Sequence, residues 1–426
     1  MAEMNYLDSL DKYDIKPGLE RIELLLEYLG NPQDELNIIH IAGTNGKGST
    51  SAILTSIYKE AGYKVGTYNS PEIIEFNERI RINGINISDR DLKEVTQKVK
   101  PLVSKVAQKL EKPSFFEVVT ALAIDYFAQQ ELDLTILEVG LGGRLDATNV
   151  INSLISVVTN VSLDHTEFLG DTIKEIAFEK GGIIKEDQQV ITATDDQEVL
   201  AVLQKICVEK DAELVNALQE YDWQQKESSL AYQKFDLQGP TRDYLDLRLP
   251  LLGEHQMINT ATAMAVIEAL TEDYPVPIET IQAGVTQVNW PGRLEVVNLD
   301  PVIILDGAHN QAGANRLKAA IEDLEFENLT LVLSILGDKN FRAIIKQIAP
   351  LATKVVLTKN KNKRVAEINI MKEEVIKYNL NVEVKEDLIK VLDDIKNQAT
   401  AKDIILISGS LYTVAEARKI IVEYTE

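Results

Sequence analysis

A glycine-rich turn wedged between a strand-length apolar run and a helix constrains this chain more than any other feature. Leu36 to Ile41 is short and apolar, and it runs into Gly43-Thr44-Asn45-Gly46-Lys47-Gly48-Ser49-Thr50. Such a turn aims backbone N–H groups and a helix N-terminus at one point, where an anion is favoured. Similar apolar runs recur at Tyr63 to Thr67, Leu132 to Val139, Leu154 to Asn160 and Gln189 to Ala193. Helical stretches, such as Leu19 to Leu29, Leu92 to Leu110 and Phe115 to Gln129, fall between them. Buried strands alternating with helices predict a mostly parallel sheet covered on both faces.

From Ser228 to Leu249 the pattern changes to alternating strand-like segments around a Gly-Pro turn, which predicts a small antiparallel excursion before a helix over His255 to Leu270. Val288 to Val297 reads as a joint. Beyond it, strands are expected at Val302 to Leu305, Thr330 to Ile335, Lys354 to Thr358, Asn381 to Val384 and Asp403 to Ser408. Helices are expected at Asn310 to Asp323, Phe341 to Ile348, Ala366 to Tyr378, Leu388 to Asn397 and Tyr412 to Tyr424. The predicted architecture is α/β: an N-terminal P-loop ATPase-type domain with a mostly parallel sheet, and a C-terminal Rossmann-like α/β domain. At 426 residues the chain has room for two or three domains of about 150 residues each. The boundaries are placed at 1–290, a linker over 291–298, and 299–426.

The formal net charge of -23 disfavours nucleic acid and anionic lipid as partners of the general surface. An anionic ligand therefore needs a local positive site. The one cysteine, Cys207, lies in the apolar setting of Leu200 to Val208 and reads as a core thiol in a reducing compartment. The N-terminal segment has no basic-then-apolar leader pattern, and no apolar run reaches the roughly 18 residues of a membrane span. Cytoplasmic residence without membrane partners is expected.

Lys47 is the residue suited to reach outer phosphates. The general G-x-x-x-x-G-K-[ST] pattern is not met, because Ile41 occupies the position of its first glycine and Gly48 follows the lysine. Glu138 closes a strand run, at the strand end where open α/β sheets bind ligands. His165 sits at another strand exit, beside Asp164. Each is more often structural when met alone; three strand ends carrying Lys47, Glu138 and His165 suggest a phosphate and metal rim. The loop Gly140 to Asn149 carries Arg144 and Asp146. Gly181 and Gly182 read as helix-capping glycines, with Lys180 beside them ordinarily exposed. Asp306 and His309 repeat the strand-end pattern, and Ser408-Gly409-Ser410 is a second turn suited to an anion. The basic cluster Lys359 to Arg364 reads as a solvated loop.

Together these pieces resemble the folylpolyglutamate synthase and dihydrofolate synthase ligases, relatives of the Mur peptidoglycan ligases. The resemblance rests on AGTNGKGS at 42–49, NSPEIIEFNERI at 69–80, LEVGLGGRLDATN at 137–149 and TNVSLDHTEFLG at 159–170. It continues in EKGGIIK at 179–185, GEHQMINTATA at 253–263, NWPGRLE at 289–295, LDGAHN at 305–310 and SGSLYTV at 408–414. It implies ATP-dependent addition of L-glutamate to a folate γ-carboxylate, or to dihydropteroate, through an acyl phosphate. By the same resemblance, Gly43, Thr44, Asn45, Gly46, Lys47, Gly48 and Ser49 hold ATP phosphates, with Asn259, Arg293 and Asp306 also on the nucleotide. Ser70, Glu138 and His165 are implied as Mg2+ ligands, with Lys180 carbamylated toward a second metal. Lys47, Lys180, Asp306 and His309 are implied as the catalytic set, with Asp306 and His309 at an interdomain active site. Arg79, Arg144, Asp146, His309 and Ser410 are implied to hold substrates, in an enzyme acting as a monomer. Two departures stand out: Glu72 where an apolar or aromatic residue is common after Ser-Pro, and Gly181 where alanine is common. A nucleotide-dependent switch and a Mur-type ligase with a cell-wall or other amino-acid acceptor are the alternatives.

Overall fold

The computed structural model describes residues 6, 7, 9–11, 14 and 16–423. The chain divides into two compact units. The first comprises Met1–Gln224, Phe235–Leu247 and Ile258–Val288, and the second Gln225–Lys234, Arg248–Met257 and Asn289–Glu426.

The first unit is built on an eight-stranded sheet. Its strands are β1 (Ile38–Ala42), β2 (Val65–Tyr68), β3 (Ile80–Ile82), β4 (Ile85–Asn86), β5 (Leu134–Glu138), β6 (Ile155–Val158), β7 (Gln189–Thr192) and β8 (Glu213–Asn216). The order is β4-β3-β2-β5-β1-β6-β7-β8. β2, β5, β1, β6, β7 and β8 run parallel, and β3 and β4 add an antiparallel edge. The chain leaves β1 toward one side of the sheet and, after β5, crosses to build the other. The carboxyl end of β1 is therefore a topological switch point, the position where such sheets leave a ligand crevice. Helices Glu20–Leu29, Asp89–Lys109 and Phe115–Ala128 contribute to one apolar cluster, and Ile173–Gly181 and Gln197–Glu209 to another that includes fully buried Cys207.

β9 (Asp222–Ser228), β10 (Gln233–Gln238) and β11 (Asp243–Leu249) form a three-stranded sheet in the order β11-β10-β9. Their short connections permit only antiparallel pairing. The excursion starts earlier than expected, because the outer strand β9 is mostly exposed and its polar DWQQKES sequence carries no apolar alternation.

In the second unit, β12 (Glu295–Leu299), β13 (Val302–Leu305), β14 (Asn328–Leu333), β15 (Lys354–Lys359), β16 (Val382–Asp387) and β17 (Asp403–Ser408) are ordered β12-β13-β17-β14-β15-β16. All pairs are parallel except β12 with β13. Alternate residues feed opposite faces, as the two-residue period of a strand requires. Ile304, Leu331, Val355 and Leu406 join helices Gln311–Glu322, Phe341–Ile348 and Ile368–Val375, while Ile303, Val332, Val356 and Ile405 join Leu388–Gln398 and Leu411–Glu423. The segment read as a joint thus supplies an edge strand. The last helix is described as far as Glu423; Tyr424 lies outside the described residues. Among the described residues no helix is long and apolar enough to cross a membrane.

His40 is the one ionisable side chain on β1, and it is fully buried. Its Nε2 lies 2.8 Å from Thr148 Oγ1. Burial, with a smaller push from Lys185, pulls its pKa down to about 3. A histidine held neutral in the fold but free to charge when unfolded contributes stability that is whole above about pH 6.5 and lost as pH falls toward 3. The urea midpoint of the first unit is expected to fall between pH 6.5 and 4, and to fall less steeply in His40→Asn; equal slopes would contradict this account. Leu122, fully buried in the helix Phe115–Ala128, tests the core separately. Leu122→Ala is expected to cost about 2–5 kcal/mol in urea unfolding of the same unit.

Candidate active site

The turn after β1 has no room for a side chain at Gly43 or Gly46. Gly43 has φ +149°, and a Cβ there would lie 1.9 Å from Thr159 Oγ1; Gly46 has φ +88°, and its Cβ would meet Asn259 Oδ1 at 2.5 Å. Gly46 then caps the helix Lys47–Glu60. The turn is laced to the segment after β6. Thr44 N donates to Asn160 O at 2.8 Å, Asn45 N to Asn160 Oδ1 at 3.1 Å, and Asn160 Nδ2 to Asn45 O at 2.8 Å. Thr159 Oγ1 also donates to Asn45 O, at 2.7 Å. Ser49 and Thr50 follow, both buried, and Thr50 Oγ1 has no protein partner.

Two lysines meet at one backbone oxygen. Lys47 Nζ donates to Gly43 O at 3.0 Å and to Thr44 O at 3.4 Å, and Lys180 Nζ donates to Gly43 O at 3.0 Å. Lys180 is only 4% exposed, which corrects the expectation of a solvent-facing lysine. Burial first, and the Lys47 charge second, bring its pKa down to about 7, against an opposing pull from Asp164 and Asp146.

Lys180 is buried because the loop after β5 packs closely on its helix. A Cβ on Gly143 would lie 2.9 Å from both Glu179 O and Lys180 O, and one on Gly182 would lie 2.3 Å from Arg144 Cβ. Gly182 has a right-handed φ of -63°, and a Cβ on Gly181 would meet Ile206 at 2.6 Å. These glycines serve close approach rather than a left-handed cap. Arg144 donates to Glu179 Oε1 through Nε at 3.1 Å and Nη2 at 2.8 Å, and lies over the Phe178 ring.

Glu138 lies 4.0 Å from Lys47 Nζ, and its Oε2 accepts from Asn69 Nδ2 at 2.9 Å and from Ser70 N at 3.4 Å. His165 stands in a left-handed conformation, φ 51°, its backbone N–H donating to Asp164 Oδ1 at 2.9 Å. Among the described residues no three His, Cys, Asp or Glu side chains come together as a metal cluster. The expected set of Ser70, Glu138, His165 and Lys180 has only two members of those types.

Asp146 turns inward. Its Oδ1 accepts from Thr148 N at 3.0 Å and Thr148 Oγ1 at 2.6 Å, and its Oδ2 from Leu141 N at 2.8 Å. Burial raises its pKa while these bonds oppose the rise. Arg79 is also buried; its Nε and Nη2 both donate to Glu72 Oε2, and its guanidinium lies over Phe115.

In the second unit, Asp306 follows β13. Its Oδ2 accepts from Leu294 N and its Oδ1 from Ala308 N, both at 2.9 Å. Burial raises its pKa and nearby Arg293 opposes that. Arg293 Nη1 donates to Gly292 O at 3.2 Å. His309 Nδ1 donates to Gly307 O at 2.8 Å, which leaves the ring's lone pair on Nε2. Ser410 is buried, its Oγ 2.7 Å from Thr413 Oγ1, and Asn360 Nδ2 donates to both hydroxyls, at 3.2 and 2.9 Å. In the basic loop, Lys359, Lys361 and Arg364 pair with Glu386, Glu416 and Asp338.

Asn69, Asn160 and Asn360 escaped the sequence reading. Their amides hold the Glu138 carboxylate, the Asn45 backbone and the Ser410 and Thr413 hydroxyls respectively, and nothing in sequence separates such asparagines from ordinary loop residues.

Residues 41–267 match the model of the Mur ligase middle domain, and residues 292–411 that of the Mur ligase glutamate ligase domain. The chain is 38% identical over 421 residues to the dihydrofolate synthase/folylpolyglutamate synthase of Bacillus subtilis, covering 96% of each. The structure of Mycobacterium tuberculosis folylpolyglutamate synthase complexed with ADP and AMPPCP is similar with a TM-score of 0.91 and 33% identity, over 98% of this chain and 97% of that one. That of E. coli FolC in complex with DHPP and ADP is similar with a TM-score of 0.89 and 28% identity, over 100% of this chain and 98% of that one. The two-unit α/β architecture, the strand-end glycine turn and these likenesses agree: the chain belongs to the folylpolyglutamate synthase/dihydrofolate synthase family of ATP-dependent Mur-type ligases.

Proposed function

We propose that this chain adds L-glutamate to the γ-carboxylate of reduced folate and its polyglutamates, and to 7,8-dihydropteroate, at the expense of ATP. The observation that carries the reading is the side-chain-free turn at Gly43 and Gly46, with two lysines converging on its Gly43 carbonyl. The dual name of the Bacillus subtilis relative and the nucleotide complexes of the solved relatives support it.

The acceptor carboxylate attacks the γ-phosphorus of ATP, ADP leaves, and the glutamate amine then displaces phosphate from the acyl phosphate. A carboxylate and a polyphosphate repel, so the first step needs fixed cations. Lys47, with the N–H groups of Gly43, Thr44, Asn45, Gly46, Gly48 and Ser49, supplies them to the phosphates, while Asn259, Arg293 and Asp306 hold the rest of the nucleotide. Mg2+, when bound, neutralises phosphate charge. Glu138 fits a magnesium site as a hard oxygen donor fixed by Asn69, and the family resemblance adds Ser70 and His165 as the other ligands. An ammonium at Lys180 would oppose that cation. Its lowered pKa leaves an amine able to attack CO2, forming an N–C bond and releasing a proton, and the resulting carbamate would bind a second Mg2+. Arg79, Arg144 and Asp146 form the acceptor side, and His309 and Ser410 receive glutamate. The enzyme is read as a cytoplasmic monomer, and its strong negative charge supports a function without nucleic acid.

Incubation with ATP, Mg2+, glutamate and either tetrahydrofolate or dihydropteroate is expected to give ADP and a product heavier by one glutamyl unit; ADP without such a product contradicts the reading. Lys47→Ala is expected to lower kcat at least 100-fold. Lys180→Ala is expected to lose activity and regain part of it with short carboxylates such as acetate. Full activity of that variant in bicarbonate-free buffer would refute the carbamate.

A further inference from the structure

His40 opens a circuit of contacts that starts inside β1 and returns to the glycine just past its end. The side chain is fully buried, and its Nε2 lies 2.8 Å from Thr148 Oγ1. The Thr148 hydroxyl has one hydrogen and gives it to Asp146 Oδ1 at 2.6 Å. Toward His40 it can only accept, so Nε2 carries the ring's N–H, and Nδ1 keeps a buried lone pair that no donor meets among the described residues. Burial and the nearby Lys185 charge hold this ring neutral. The order of donation is thereby fixed, from His40 to Thr148 and from Thr148 to Asp146.

Asp146 passes the connection to the loop after β5. Its Oδ2 accepts from Leu141 N at 2.8 Å, and its own N–H donates to Gly143 O at 3.1 Å. Gly143 lies close against the carbonyls of Glu179 and Lys180, and Arg144 N donates to Glu179 O at 2.7 Å. Lys180 Nζ completes the circuit at Gly43 O, 3.0 Å away, the oxygen that also receives Lys47.

The other residues of β1 are Ile38, Ile39, Ile41 and Ala42, all buried. For stability alone an apolar side chain would serve at residue 40 as well, because the orphaned Nδ1 carries a desolvation cost that leucine would not. What only the imidazole supplies is the N–H that holds the Thr148 hydroxyl. Resting on the assignment above of the Gly43 to Ser49 turn to the ATP phosphates, we infer that His40 is a positioning residue for that turn: donating through Thr148 to Asp146, it fixes the loop that keeps Lys180 on the Gly43 carbonyl. Being fully buried, it acts through this chain and touches no substrate.

His40→Leu removes the donor while filling its space, Thr148→Val removes the hydroxyl without a change of shape, and His40→Gln restores an N–H near the place of Nε2. The leucine and valine variants are expected to bind ATP about tenfold more weakly, in titrations without acceptor or glutamate, and to keep KM for glutamate within about twofold of wild type. His40→Gln and Thr148→Ser are expected to bind ATP within about twofold of wild type. The double variant His40→Leu/Thr148→Val is expected to bind no more weakly than either single one, because both cut one chain. ATP affinity retained in Thr148→Val overturns the inference, as does a glutamine variant as weak as the leucine one, or losses that add in the double variant. A lowered Tm in His40→Leu with ATP affinity unchanged overturns it too, by showing a role in folding alone. Since the titration needs no turnover, wild-type enzyme that binds ATP but transfers no glutamate contradicts the ligase reading and not this one.

Discussion

The lack of room for a side chain between the end of β1 and the segment that follows β6 governs the rest of the first unit. With Thr159 Oγ1 only 1.9 Å from where a Cβ on Gly43 would sit, far inside van der Waals contact, the chain must pass as glycine there. Asn160 then reads both the N–H and the C=O of Asn45, and the Thr44 hydroxyl accepts from Ser162 N and donates to Ser162 O, so the turn is tied to the segment after β6 from both sides. A backbone fixed in this way keeps its N–H groups oriented before any ligand arrives, and donors that need not reorganise stabilise developing charge most effectively.

The same carbonyl that anchors Lys47 anchors Lys180, and this juxtaposition accounts for the electrostatics of the unit. Two ammonium groups sharing one oxygen in a buried setting disfavour each other, and the deeper one, Lys180, shifts toward neutrality. Its burial follows from the glycines of two separate segments, Gly143 and Gly182, each of which lets the other's backbone approach. Packing, not a nearby carboxylate, is therefore what prepares this amine.

Much of the fold was legible because its strands are continuous apolar runs. Val302–Leu305, Phe341–Ile348 and Asp403–Ser408 have the bounds that the sequence indicates, and most others shift by one to three residues at their ends. The elements that escaped are those whose signal is physically weak. β3 is three residues long and carries Arg81 at its centre, β9 is polar throughout, and β12 alternates only partly buried residues at a sheet edge. At the site, the glycines, Lys47 and the strand-end carboxylates were visible as residue types out of place in an apolar pattern. Burial of Lys180 was not, since it depends on contacts between Gly143, Gly182 and Arg144, far apart in sequence. The pairing of Glu72 with Arg79 was hidden for the same reason: seven residues separate them, and only the folded turn shows that they meet.

Asp146 and Asp306, each singled out as a chemical group, share a further physical role. Each gives both carboxylate oxygens to backbone N–H groups, one at the residue two places on and one at a residue further back, Leu141 for Asp146 and Leu294 for Asp306. Each thus ties the loop that leaves its strand to a residue earlier in the chain. Burial pushes both toward the neutral acid while the N–H donors favour the anion, so the charge on each depends on the loop's remaining in place. A ligand cation near either aspartate meets an acceptor whose strength is set by the backbone around it. Loop geometry and carboxylate acidity are in this way linked: the same N–H donors that fix the backbone also offset the effect of burial.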